Sequence, residues 1–139
     1  MDSRSSNTPL AVVDHGRRKL GKALVRVAAL ILVATSALHA SGSAGVNRAL
    51  ARSNLSAMLV HGFQGLWLQF SVHLVLVALV LWLVTRGAPS RAVVLGCGLI
   101  PLADTLQVWS IAGIFPGTIM LAAAAVLVLA GGALVGERS

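Results

Sequence analysis

The chain has 139 residues, 57% of them apolar and 11% charged, where a soluble domain carries roughly a quarter charged residues. Its net charge of +7 is no nucleic-acid signature, because the basic residues flank apolar runs and act as an orientation signal. A single cysteine, Cys97, excludes an internal disulfide and a dithiol redox motif, and no stretch is left over for a soluble catalytic domain.

Residues 1–22 are polar and basic and are read as a flexible cytoplasmic tail, with His15 solvated. Arg17-Arg18-Lys19-Leu20 loosely resembles a twin-arginine export signal, with residues 27–40 as its apolar core. The competing reading, a first transmembrane helix over about 24–45, is preferred. The charge-free run has the length a bilayer needs, and another span follows it. A short loop with Arg48 and Arg52 comes next, and Asn54-Leu55-Ser56 in it fits a glycosylation sequon, a pattern that arises often by chance.

The second span, 57–84, contains no Asp, Glu, Lys or Arg. At 28 residues it is longer than a hydrocarbon core of about 30 Å requires, so it tilts or projects. Gly87, Ala88, Pro89 and Ser90 form a turn between two arginines. The third span, 92–113, is interrupted by Pro101 and carries Asp104, Thr105, Gln107 and Ser110. Residues 114–117 turn the chain into a fourth span, 118–135, built almost wholly of Ala, Val and Leu. Gly132-x-x-x-Gly136 and the alanines at 122–125 give it a small-residue face that permits close packing or a homo-oligomer.

The expected fold is therefore all-α: one polytopic domain over 23–139, a four-transmembrane-helix bundle. The N-terminal tail, the 85–91 loop and the C-terminus hold nine of the eleven Lys and Arg. The positive-inside rule then places both termini in the cytoplasm, and the protein in a cell membrane, the inner one if the source is bacterial.

The stretch His61–His73, HGFQGLWLQFSVH, carries the most information. Gly62, Gly65, Gln69 and His73 share one helical stripe, with His61 at its edge. Lipid cannot satisfy the polar groups there, so the stripe is expected to line a cavity rather than face hydrocarbon. Gln64, Trp67 and Ser71 form a second stripe, read as a helix contact, with Trp67 also a candidate pocket wall. His39 lies in the outer half of the first span. Asp104 falls just past the middle of the third, with Gln107 one turn further out. A carboxylate near the bilayer centre costs about 2.5–3.5 kcal/mol on insertion scales, a cost lowered by protonation, by a histidine partner or by facing water.

Three helices thus bring polar groups to one zone between the midplane and the outer half. The favoured function is acid-base chemistry (isomerisation, epoxide opening or cyclisation) on a lipophilic small molecule. Asp104, His73 and His39 would be the catalytic groups, and Gln69, Gln107, His61, Gln64 and Trp67 would contact the substrate. That reading needs no cofactor, metal or protein partner beyond the bilayer. The alternatives are a haem b or quinone-binding subunit using histidine ligands, and a small proton-coupled transporter or assembly subunit. A facial triad of His39, His73 and Asp104 on a metal is a minor further option.

Overall fold

In a computed structural model of the protein, residues 8–87 and 90–135 are described, with side chains from His15 onward. They form five helices: α1 (Thr8–Ser41), α2 (Ser43–Ala51), α3 (Ala57–Arg86), α4 (Arg91–Ala112) and α5 (Pro116–Leu134). Four segments, corresponding to α1 with α2, α3, α4 and α5, are long and apolar enough to cross a membrane. The expected spans agree with α3, α4 and α5 to within about two residues at each end.

Two features of the first third differ from expectation. The helix begins at Thr8, so residues 8–22 of the supposed flexible tail are helical; residues 1–7 lie outside the described part. Pro9 sits in the first turn, where it needs no N–H partner, and a helix already nucleated in an apolar span extends cheaply into polar sequence. At about 1.5 Å per residue α1 reaches about 50 Å, well beyond a hydrocarbon core, and residues 15–20 are all exposed. At the far end α1 stops at Ser41, and most of the supposed loop is the separate helix α2. The hydroxyls of Ser41 and Ser43 donate to the carbonyls of Leu38 and Ala40, competing with the helical ladder beside Gly42.

Successive long helices run antiparallel. α5 sits between α1 and α4, α1 also packs on α3, and the α3–α4 seam is the loosest. The core repeats at three- and four-residue spacing: Val25, Ala28 and Leu32 meet Leu74, Ala78 and Leu81 on one side, and Leu121, Ala124 and Val128 on the other. Small residues set the close approaches. A Cβ on Gly131 would lie 2.7 Å from the Gly21 carbonyl oxygen and 2.7 Å from Val25 Cγ2. One on Gly132 would lie 2.9 Å from Leu95 Cδ2. The space at these glycines is filled by this chain's own α1 and α4, the close packing that such small residues permit. Gly136, the other half of the Gly132 motif, lies outside the described residues.

The end of the bundle nearest the termini is tied by cations. Lys22 Nζ donates to the Gly87 carbonyl at 2.6 Å, and Arg26 donates to Thr85 Oγ1 at 3.2 Å while its guanidinium lies over Trp82. Both satisfy the C-terminus of α3, where unpaired carbonyls favour positive charge. Ser90 caps α4 by accepting from the Val93 N–H. Ala88 and Pro89, the centre of the expected turn, are outside the described residues.

Candidate functional site

The fold brings His73 and Asp104 together. His73 Nε2 lies 3.1 Å from Asp104 Oδ2, and among the described residues this is the one side-chain hydrogen bond across the α3–α4 seam. The aspartate side chain is 13% exposed and the histidine 37%, so the carboxyl is covered and the imidazole half-covered. A histidine and an aspartate within hydrogen-bond reach of each other are the residue types that general acid-base chemistry uses, since each can give or take a proton. One turn before Asp104, Pro101 is buried within an unbroken α4, and the Thr105 hydroxyl donates to its carbonyl at 2.6 Å.

A cavity of about 620 Å³ lies between α1, α3, α4 and α5, at the end distal to the termini. That volume is within the range of small-molecule pockets, about 300–1,000 Å³. Its walls are mostly apolar: Leu38, Phe70, Val108, Ile111, Phe115 and Leu121 contribute, with Thr35, His39 and Gln107 as the polar lining. Phe70 joins this chamber to the pair below, with ring centroids 5.0 Å from His39 and 6.2 Å from His73. Gln107 stands one helical turn beyond Asp104, so the pair lies next to the cavity floor without forming its wall.

His39 is fixed from several directions. Its ring stacks on Trp67 with centroids 3.9 Å apart, and its Nε2 donates to the Trp67 carbonyl at 3.1 Å. In return Trp67 Nε1 donates to the His39 carbonyl at 3.1 Å, and that oxygen also accepts from the Gly42 N–H where α1 ends. Gly42 makes room for this arrangement, since a Cβ there would lie 3.1 Å from Trp67 Cζ2. One turn away the Ser36 hydroxyl donates to the Ser71 carbonyl at 2.8 Å, fastening α1 to α3.

Comparisons with protein-family models, curated proteins and solved structures find no match to this chain. Function therefore rests on the chemistry of the site.

Of the residues expected to form that site, five are gathered here: His73 with Asp104, and His39, Trp67 and Gln107 around the cavity. Three are not. Gln69 is exposed and outside the cavity lining, being two residues, or about 200°, around the helix from Trp67. His61 is exposed and lies 3.4 Å from Gln64 through Nδ1, on the first turns of α3, ahead of the cavity-lining Trp67; neither residue lines the cavity. The Gly62–Gly65 stripe meets nothing within 4 Å. The reason is length: α3 has 30 residues against 19 in α5, and its buried positions begin only at Ser71. The second stripe, read as a helix contact, does contact α1 through Trp67 and Ser71, and Trp67 also walls the cavity.

His39 does not join the pair in a metal set. Among the described residues no three His, Cys, Asp or Glu side chains are placed to hold an ion. A bis-histidine haem through His39 would require its Nε2 to leave the Trp67 carbonyl and its ring to leave the indole.

Phe70, Leu38, Ile111 and Phe115 line the cavity and carry no polar signal in the sequence. The one available signal, not used above, is that Phe70 stands three residues from both Trp67 and His73 and so falls between their bearings.

The open glycines give a simple expectation. Gly65→Ala should leave thermal unfolding in detergent unchanged or raise it, since helix propensity favours Ala by up to about 1 kcal/mol and the Cβ meets nothing. A clear drop in melting temperature would mean that another surface packs on this face.

Proposed function

We propose that this chain is a multi-pass membrane protein whose distal cavity binds a lipophilic small molecule and whose His73–Asp104 pair carries out acid-base chemistry on it. The observation that carries this reading is a histidine and an aspartate 3.1 Å apart, one helical turn from the lining of an apolar cavity. The distribution of Lys and Arg supports a cytoplasmic position for both termini, in a cell membrane, with the cavity toward the opposite face.

In this reading the apolar walls hold the body of the molecule, and Gln107 holds its polar end toward the pair. Asp104 or His73 delivers a proton to the bound molecule, and the partner accepts one from it. The net proton count is unchanged, as an isomerisation, an epoxide opening or a cyclisation terminated by proton loss requires.

The test uses purified protein in nanodiscs, incubated in D₂O with the lipophilic extract of the cells that make it. Wild type is expected to convert or deuterate a component of that extract, detected by untargeted mass spectrometry, and His73→Ala is expected to lose this. Labelling that persists in folded His73→Ala rejects the assignment. If wild type instead drives proton flux in liposomes with every component chemically unchanged, the chain is a proton-coupled transporter using the same pair.

A further inference from the structure

The cavity has a hydrogen-bonding polarity of its own, of which the acid-base reading uses only Gln107. His39 donates from Nε2 to the Trp67 carbonyl, and a carbonyl oxygen only accepts. In a neutral imidazole, the form an apolar wall favours, the lone pair is then on Nδ1. Nδ1 has no hydrogen-bond partner among the described residues, yet it is not among the buried polar atoms left unsatisfied. It is therefore accessible, on a side chain that lines the cavity. Trp67 stacking and the reciprocal indole bond hold that ring in place.

The opposite wall, on α4, offers the Gln107 amide, with both a donor and an acceptor. The third polar lining group, Thr35, already donates its hydroxyl proton to the Ile31 carbonyl at 2.8 Å. The chamber thus presents a fixed acceptor on α1, an adjustable amide on α4 and apolar surface elsewhere.

We infer that the cavity selects a lipophilic molecule bearing a single hydroxyl, an alcohol or phenol. Its O–H donates to His39 Nδ1 and its oxygen accepts from the Gln107 amide. A ketone or ether has no proton for Nδ1. An amine meets both groups but is charged near neutral pH, which an apolar chamber penalises. A carboxylic acid or amide brings a further polar atom that these two groups leave unsatisfied. The inference rests on the cavity being the ligand site, as proposed above, and adds the class of molecule and the residues that orient it.

Binding without turnover tests it. With Trp82 and Trp109 replaced by Phe, fluorescence reports on Trp67 alone, and dodecan-1-ol is compared with 1-methoxydodecane in nanodiscs. The alcohol is expected to perturb Trp67 at about tenfold lower mole fraction than the ether, the effect of one net neutral hydrogen bond. His39→Phe keeps an aromatic ring on the indole and should bring the two ligands to parity. Gln107→Leu, which leaves the α1–α3 contacts untouched, should reduce the preference from the other wall. Equal binding of alcohol and ether in wild type, binding of neither, or a preference that survives both substitutions overturns the inference. The same preference in Asp104→Asn would show that ligand selection stands even if the acid-base reading fails.

Discussion

Asp104→Asn is expected to lower the rate of deuterium transfer by about 10²- to 10⁴-fold, the usual contribution of a positioned acid or base. The melting temperature should stay within about 2 °C of wild type. The amide keeps the size of the carboxyl and can still hydrogen-bond His73, so the α3–α4 bridge survives while its proton chemistry is lost. This substitution separates the proposed acid-base role of Asp104 from a purely structural one. The pair spans the loosest seam of the bundle, where a hydrogen bond is also what holds two helices together. If Asp104→Asn lowers the melting temperature by several degrees and transfer continues, the pair is a structural bridge and the catalytic assignment falls.

Gly131→Leu is expected to have the largest effect on the fold. At this position the Gly21 carbonyl oxygen and Val25 Cγ2 both stand 2.7 Å from where a Cβ would be, and the backbone oxygen cannot turn aside as a side chain can. α1 and α5 must separate, and because α5 also carries α4, the displacement spreads through the bundle. Overpacking costs about 1–3 kcal/mol, and the upper end applies here, for a fall of roughly 10 °C in thermal unfolding followed in detergent. Gly98→Ala is the matched control. Its closest neighbour is Leu129 Cδ2 at 2.8 Å, the end of a flexible side chain, so the cost should stay below about 1 kcal/mol. Equal losses at the two positions would mean that the α1–α5 approach is not what holds the bundle together.

The architecture was legible because its signal is strong and one-dimensional: apolar runs of bilayer length separated by turn residues and cations define α3, α4 and α5 directly. The start of α1 was not legible. Composition marks residues 8–22 as polar but does not reveal that a helix nucleated in the neighbouring apolar run extends through them. That His73 and Asp104 lie at similar depth was legible, since both fall near the middle of their helices; that they meet was not, because depth leaves the order of helices open.

Helical bearings were less informative, because a bearing says which residues share a face and not what that face meets. The Gly62, Gly65, Gln69 and His73 stripe looked like a cavity wall, yet only His73 meets another helix; Gly62 and Gly65 face open space and Gln69 is exposed. The opposite bearing, with Trp67, meets α1 and walls the chamber. What decides between them is the order of helices around the bundle, with α5 wedged between α1 and α4, and the small residues of α5 allow that order without announcing it. Gly132 illustrates the same limit: its small-residue motif promised a contact surface without saying which, and the surface it meets is α4 of this chain.

The claim that the distal cavity supplies the molecule on which the pair acts is tested most directly by closing the cavity and leaving the pair intact. Ala112 lines the chamber near the end of α4 and is itself exposed, so Ala112→Phe places a ring in the chamber with no buried group displaced. Deuterium transfer should fall at least about tenfold in this variant, with melting temperature and the His73–Asp104 bridge preserved. Transfer at the wild-type rate with the chamber filled would contradict the claim.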